Sequence, residues 1–149
     1  MSDEELRRAT QIGLAVKDIE KSRAAWSKLL GVEEPRIVET ESWESTHMTF
    51  RGKPSEARAK LTFFKLENIV IEIIQPIGGP STWRNFLEKH GEGIHHVAFQ
   101  VDDLQQTLEK FRRMGIEAEQ KGDYKGGYYI YLNSKDKLGV TIEALHRHS

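Results

Sequence analysis

The sequence contains no cysteine. Disulfide staples, iron–sulfur clusters and thiolate zinc sites are thereby excluded, and any metal chemistry has to draw on histidine, carboxylate or amide oxygen. A surplus of charge is also missing: 22 Lys and Arg stand against 23 Asp and Glu, so no net field points to nucleic acid or to an anionic lipid surface. Nowhere do apolar residues run unbroken for the roughly 18 positions that a membrane-crossing helix needs. Residues 1–8 carry no apolar segment of signal type. These absences make a soluble cytoplasmic protein, with neither nucleic-acid nor membrane partner, the expectation. At 149 residues the chain has the size of one domain and can bury a sizeable core.

What is present is a repeat. Residues 11–26, from Gln11 to Trp26, align with residues 96–111, from His96 to Phe111, at a constant offset of 96 − 11 = 85. Each copy reads as a strand, a turn and an amphipathic helix. Ile19, Trp26, Leu29 and Leu30 are expected on one helical face, and Leu104, Leu108, Phe111 and Met114 on the other. Asp18 and Asp103 stand where N-caps belong, with Gln106 as a capping-box partner, and Gly31 and Gly115 suit the C′ position. Further strands are expected to begin at Val32-Glu33 and Ile116-Glu117. Segments 44–50, 59–66, 69–74, 128–132 and 140–145 supply the remaining strands, with a hairpin turn over 66–69. The breaker cluster 76–80 precedes a short helix opening at Ser81 and closing at Gly91. The expected architecture is α+β: two tandem βαβββ modules, residues 10–77 and 94–146, joined by a linker helix over 81–91 within one domain, residues 1–149.

Two strands carry the same anomaly. A lone carboxylate, Glu72 in one and Glu143 in the other, interrupts an apolar run, and burying an ionised Glu is costly unless a cation or several hydrogen bonds compensate it. Strand alternation puts His96, Ala98 and Gln100 on one face and Val97, Phe99 and Val101 on the other. In the first copy it groups Gln11, Gly13 and Ala15, leaving Ile12, Leu14 and Val16 for the core. The small residues beside Gln11 and His96 suit a pocket floor or a close approach of two backbones. If the modules pair about a pseudo-twofold axis, Gln11, Glu72, His96 and Glu143 meet at one point. Three oxygen ligands and one imidazole suit Zn²⁺, Ni²⁺, Co²⁺ or Mn²⁺. Taken singly, each residue has an ordinary explanation: a capped or edge-exposed carboxylate, a satisfied core histidine. His95 is expected on the face opposite His96, in a structural role, and the aromatic run 128–131 in ordinary strand packing, with one hydroxyl reaching the pocket as the alternative.

From about Gln11 to Leu145 the chain resembles the vicinal oxygen chelate superfamily, which includes glyoxalase I, methylmalonyl-CoA epimerase, extradiol dioxygenases and bleomycin-resistance proteins. The resemblance implies a glyoxalase-like fold with a curved mixed sheet around a cleft. It also implies metal ligands at the start of each module's first strand and within its last, the positions of Gln11, Glu72, His96 and Glu143. The segments 72–78, 83–93 and 93–99 look like methylmalonyl-CoA epimerase, although that epimerase begins its first strand with His where Gln11 stands. The order Gln, Glu, His, Glu is instead that of zinc glyoxalase I, whose Asn-Trp-Gly run is missing. Extradiol dioxygenases use two His and one carboxylate, and only His96 is available at the matching positions.

The resemblance therefore implies a metal-dependent enzyme that moves a proton next to a metal-chelated carbonyl, most like a methylmalonyl-CoA epimerase. A glyoxalase-like lyase, a bleomycin-resistance-type binding protein and a dioxygenase are the alternatives. Glu143 and Glu56 are the candidate proton-transfer residues, the latter because 56–59 lies where the epimerases have Glu-x-Gly-Val, with Arg58 in place of the Gly. Arg51, Lys53, Arg58, Lys60 and Arg84 are the basic groups available to a CoA thioester. A homodimer is also expected, with the edge strand at 43–50 as one surface for pairing with another subunit.

Overall fold

The computed structural model describes residues 6–148; the reading of the first five residues as free of a targeting segment lies outside them. The chain runs β1 (Ala9–Ala15), α1 (Ile19–Leu30), β2 (Val38–Glu39), α2 (Trp43–Thr46), β3 (Thr49–Phe50), β4 (Lys53–Pro54), β5 (Arg58–Lys65) and β6 (Val70–Ile77). It continues through α3 (Thr82–His90), β7 (Gly93–Gln100), α4 (Leu104–Arg113), β8 (Ala118–Tyr124), β9 (Gly127–Leu132), α5 (Lys135–Leu138) and β10 (Thr141–Arg147). All ten strands join one curled mixed sheet in the order β2-β5-β6-β1-β7-β10-β9-β8-β3-β4.

Its centre is symmetric. β1 and β7 pair antiparallel, and each has its own module's last strand parallel on its outer side, β6 beside β1 and β10 beside β7. This is the expected pseudo-twofold pairing of the two βα units.

Local chemistry fixes the two long helices as the repeat predicts. The Asp18 carboxylate accepts from Lys21 N at 3.2 Å, and the Asp103 carboxylate accepts from Gln106 N at 3.0 Å. Gly31 closes α1 in the left-handed region at φ 68°, which a residue with Cβ reaches only at a cost. Beneath α1 lie Val16, Ile19, Phe64, Ile71 and Ile73, with Ile12, Leu14, Trp26 and Leu30 packed against them. Under α4 the matching layer is Phe111, Ile116, Ile130, Leu132 and Ile142, with Val97, Phe99, Leu104 and Leu108. Two residues expected in these stripes are not there. Leu29 is 74% exposed, because Leu30, four residues beyond Trp26, takes the sheet-facing place; Met114 is 44% exposed, since α4 ends at Arg113.

The largest departures lie between α1 and β5. Residues 32–37 form no strand, and Pro35, without an N–H to donate, sits in the middle of the segment. The expected strand at 44–50 is instead the short helix α2 followed by β3, and β3 pairs with β8 of the second module, Thr49 opposite Lys121. That edge is therefore satisfied within the chain and not left open for another subunit. A backbone bond from Arg51 N to Glu119 O at 2.7 Å and the contact of His47 Nδ1 with Asp123 at 3.2 Å tie the crossing segment down.

The start of β10 is held by Ser134, fully buried, whose hydroxyl donates to Val140 O at 2.9 Å and accepts from Ile142 N at 2.8 Å. Ser134→Ala leaves both backbone groups unpaired in the interior. It is expected to cost about 1–3 kcal/mol, read as a drop in the denaturant midpoint at unchanged slope.

Candidate metal centre and cavity

Two rows of side chains cross the middle of the sheet. In one, Glu72 of β6 and His96 of β7 flank Gly13 of β1; in the other, Glu143 of β10 and Gln11 of β1 flank Ala98 of β7. The rows are related by the same offset that relates the modules, 98 − 13 = 85. Each has its smallest side chain in the middle, so the outer two can lean toward one another.

The four polar groups do converge. His96 Nε2 lies 3.1 Å from Glu143 Oε1, 3.3 Å from Glu72 Oε1 and 3.2 Å from Gln11 Oε1. The same amide oxygen stands 3.1 Å from Glu143 Oε1 and 3.3 Å from Glu72 Oε1. Glu72, His96 and Glu143 are all buried, with ligand atoms within 4.8 Å of one another. A point equidistant from donors spaced this way lies about 2.0–2.3 Å from each, the length of a metal–nitrogen or metal–oxygen bond.

With the oxygen of Gln11 turned inward, the cluster sets acceptor against acceptor. Turning the amide over lets its NH₂ donate to both carboxylates; a cation at the centre makes every one of these contacts attractive with the oxygen inward. The donor set of three oxygens and one imidazole, with no thiolate, fits a borderline or hard divalent ion. Electrostatics agree. Burial pushes the Glu72 carboxyl up, and the opposing pull of His96 is the smaller effect. For His96, burial works against charge, but the attraction and hydrogen bonds of Glu143 and Glu72 overcome it and raise the imidazole to about 9. The pocket thus favours positive charge at its centre strongly enough to draw a proton there.

Gly13 does not leave open volume. A Cβ built on it would stand 2.0 Å from His96 Cε1 and 2.4 Å from Nε2, because the imidazole lies directly on the glycine backbone. The small residue makes room for a side chain, which is neither the open floor nor the meeting of two backbones that its position suggests.

His95 departs from the alternation rule. Gly13 pairs with His96 and Leu14 with Ile94, so His95 is an extra residue on β7, a bulge against β1. It brings the two rings together on one side, His95 Nδ1 2.9 Å from His96 Nδ1. Burial, and then the charge of His96, hold His95 well below the ordinary histidine range.

Gln11, Glu72 and Glu143 line a cavity of about 590 Å³ whose walls are largely apolar, with Leu61, Phe63, Ile74 and Trp83 among them. The aromatic run is part of this wall, beyond ordinary packing. Tyr129 and Tyr131 face the cavity; Gln120 Nε2 donates to the Tyr129 hydroxyl at 3.0 Å and Trp83 Nε1 to that of Tyr131 at 3.1 Å. Burial pushes both phenols up, so they stay neutral donors. Strand register finds them afterwards, since residues 129 and 131 share one face of β9.

Glu56 is not brought to this site: its side chain is exposed between the buried Ser55 and Ala57, and it does not line the cavity. Apart from Glu72 and Glu143, the carboxylates on the wall are Glu39, Glu41 and Asp123. The five basic residues considered for a CoA thioester are also elsewhere. Arg58 donates to Thr40 O, Arg84 to Gly78 O and Arg51 pairs with Glu119, whereas Arg36, Lys125 and Arg147 line the cavity. Among the described residues no helix is long and apolar enough to cross a membrane.

The chain is similar to known proteins over nearly its whole length. The human mitochondrial methylmalonyl-CoA epimerase is 28% identical over 142 residues, covering 93% of this chain and 73% of that protein. The ethylmalonyl-CoA/methylmalonyl-CoA epimerase of Cereibacter sphaeroides is also 28% identical, over 91% of this chain and 95% of its own. The crystal structure of methylmalonyl-CoA epimerase from Mycobacterium tuberculosis superposes with a TM-score of 0.66 at 21% identity, covering 100% of this chain and 93% of that one. A family model matches residues 10–131, so both βα units and the rows of candidate ligands up to His96 fall within it. The chain belongs to the Glyoxalase/Bleomycin resistance protein/Dioxygenase superfamily.

Proposed function

We propose that this chain is a divalent-metal-dependent epimerase that moves the proton between the thioester and carboxylate carbonyls of a 2-alkylmalonyl-CoA. The observation that carries the reading is the convergence of Gln11, Glu72, His96 and Glu143 beside a cavity of about 590 Å³, in a chain whose relatives carry epimerase names. Gln11, Glu72, His96 and Glu143 are the groups that would hold the metal. When bound, the ion supplies Lewis acidity that polarises a carbonyl and acidifies the adjacent C–H.

The remaining work falls to side chains. Glu143 lines the cavity from β10 and is the carboxylate assigned to take the α proton on one face. Inversion needs a second acid on the opposite face. Of the carboxylates on the wall, Glu39 is paired with Arg58 and Asp123 with His47, so the assignment goes to Glu41 in place of Glu56. The apolar wall of Leu61, Phe63 and Trp83 keeps water from the α carbon, and Arg36, Lys125 and Arg147 offer charge to the anionic parts of the substrate.

The test combines metal analysis of the purified protein with deuterium uptake from D₂O into methylmalonyl-CoA. About one divalent ion per chain, and exchange that EDTA abolishes and added metal restores, is the expected outcome. Bound metal without exchange would move the assignment to a lyase of glyoxalase type. Failure to bind metal in a folded protein would make it a binding protein.

A further inference from the structure

We propose that His95 is a positioning residue: it accepts the Nδ1 hydrogen of His96 and so fixes that ring in the tautomer and orientation that present Nε2 to a divalent ion. The inference rests on the metal reading above and adds a residue that no comparison assigns.

The argument begins with the bulge. An extra residue on β7 turns a side chain that alternation would send into the helix-facing layer onto the side of the metal cluster. Both rings are out of water, His95 at 2% exposure and His96 at 0%, and they meet edge to face with centroids 5.1 Å apart. Nitrogen atoms 2.9 Å apart with no solvent access share a hydrogen, since two facing lone pairs there would be left buried and unpaired.

The direction of that bond follows from the other nitrogen of His96. Nε2 points at Gln11, Glu72 and Glu143, and a ring nitrogen that binds a metal carries no hydrogen. The single hydrogen of neutral His96 then sits on Nδ1 and is donated to His95 Nδ1. His95 must in turn carry its own hydrogen on Nε2. It has a place for it: the backbone of Thr82, at the start of α3, lies on the side of the ring where it favours a hydrogen on His95. Phe86, 5.5 Å away, and Tyr131, 5.1 Å away, stand edge to face against the His95 ring and hold its plane. The usual orienting partner of a metal-bound histidine is a carboxylate or a carbonyl; here a neutral imidazole takes that place and is itself aimed by the backbone.

Two variants separate this role from mere filling of space. His95→Phe keeps a ring but removes the acceptor, whereas His95→Asn puts an amide oxygen near the position of Nδ1. Each is titrated with Co²⁺, read by visible absorption, after circular dichroism shows that it folds. His95→Asn is expected to bind cobalt within about 3-fold of the parent chain and His95→Phe about 10–100-fold more weakly. In the zinc-loaded parent chain, imidazole ¹⁵N spectra are expected to show His96 ligated through Nε2, protonated at Nδ1 and scalar-coupled to His95 Nδ1. Equal cobalt affinity in His95→Phe and the parent, or a hydrogen residing on His95 Nδ1, overturns the proposal. Should His95→Phe not fold, the spectra of the parent chain decide alone. A parent chain that takes up no cobalt sinks the metal reading itself and the role of His95 with it.

Discussion

Alanine at position 13 is expected to weaken metal binding severely. The added methyl would stand 2.0 Å from His96 Cε1, and both of its neighbours across the row, Glu72 and His96, belong to the cluster. A fully buried imidazole cannot yield that distance by a small rotation, so the ring must leave its place. Overpacking of this kind costs about 1–3 kcal/mol of stability, and displacing a ligand is expected to weaken cobalt binding by about 100-fold or more. The double variant Gly13→Ala with His96→Ala isolates the cause. If the clash is with the ring, adding Gly13→Ala to the His96→Ala chain costs little further stability, whereas the same change in the parent chain costs the full amount. Equal costs in both backgrounds, or full metal affinity in Gly13→Ala, would show that the glycine serves something other than the close approach.

Glu143→Gln separates holding a metal from moving a proton. The amide oxygen keeps a ligand of nearly the same shape, as Gln11 already provides, but no longer takes a proton. At saturating metal the variant is expected to retain about one ion per chain while deuterium exchange falls by about 10²–10⁴-fold. Glu72→Gln serves as the comparison. It removes charge from the same cluster without touching the assigned base, so its exchange rate should recover as metal is raised. If the two variants lose exchange equally at saturating metal, Glu143 is only a ligand and the base lies elsewhere on the wall, with Glu41 the first to examine.

The parts readable from the sequence are those governed by short-range rules. Asp18 and Asp103 cap helices because a carboxylate reaches the N–H three residues on, and Glu72 and Glu143 betray themselves as carboxylates inside apolar runs. The offset of 85 then places Gln11 and His96 in equivalent strands. What escaped depends on a partner strand. The bulge at His95 exists only in the register of β7 against β1, and no property of residues 94–96 announces it. Likewise, that Thr49 pairs with Lys121 rather than with its own half is a long-range choice that the local pattern of 43–50 does not encode. Glu56 and the five basic residues are candidates by position along the chain alone, which does not say whether a side chain lines the cavity: none of the six does, and Arg58 and Arg84 donate to nearby carbonyls.

The crossing of residues 49–54 onto β8 has a consequence for how the molecule is put together. A plain tandem copy would have left β8 as a bare edge, open to pairing with any strand that met it. Here the first module lends two short strands to finish the second, so neither module is a self-sufficient folding unit, and a chain severed between them, near Gly79, should regain structure only when both pieces are present. The stitch also sets a kinetic demand: residues 49–50 wait for residues 120–121 to emerge and arrange themselves, a loop closure of the kind that slows folding.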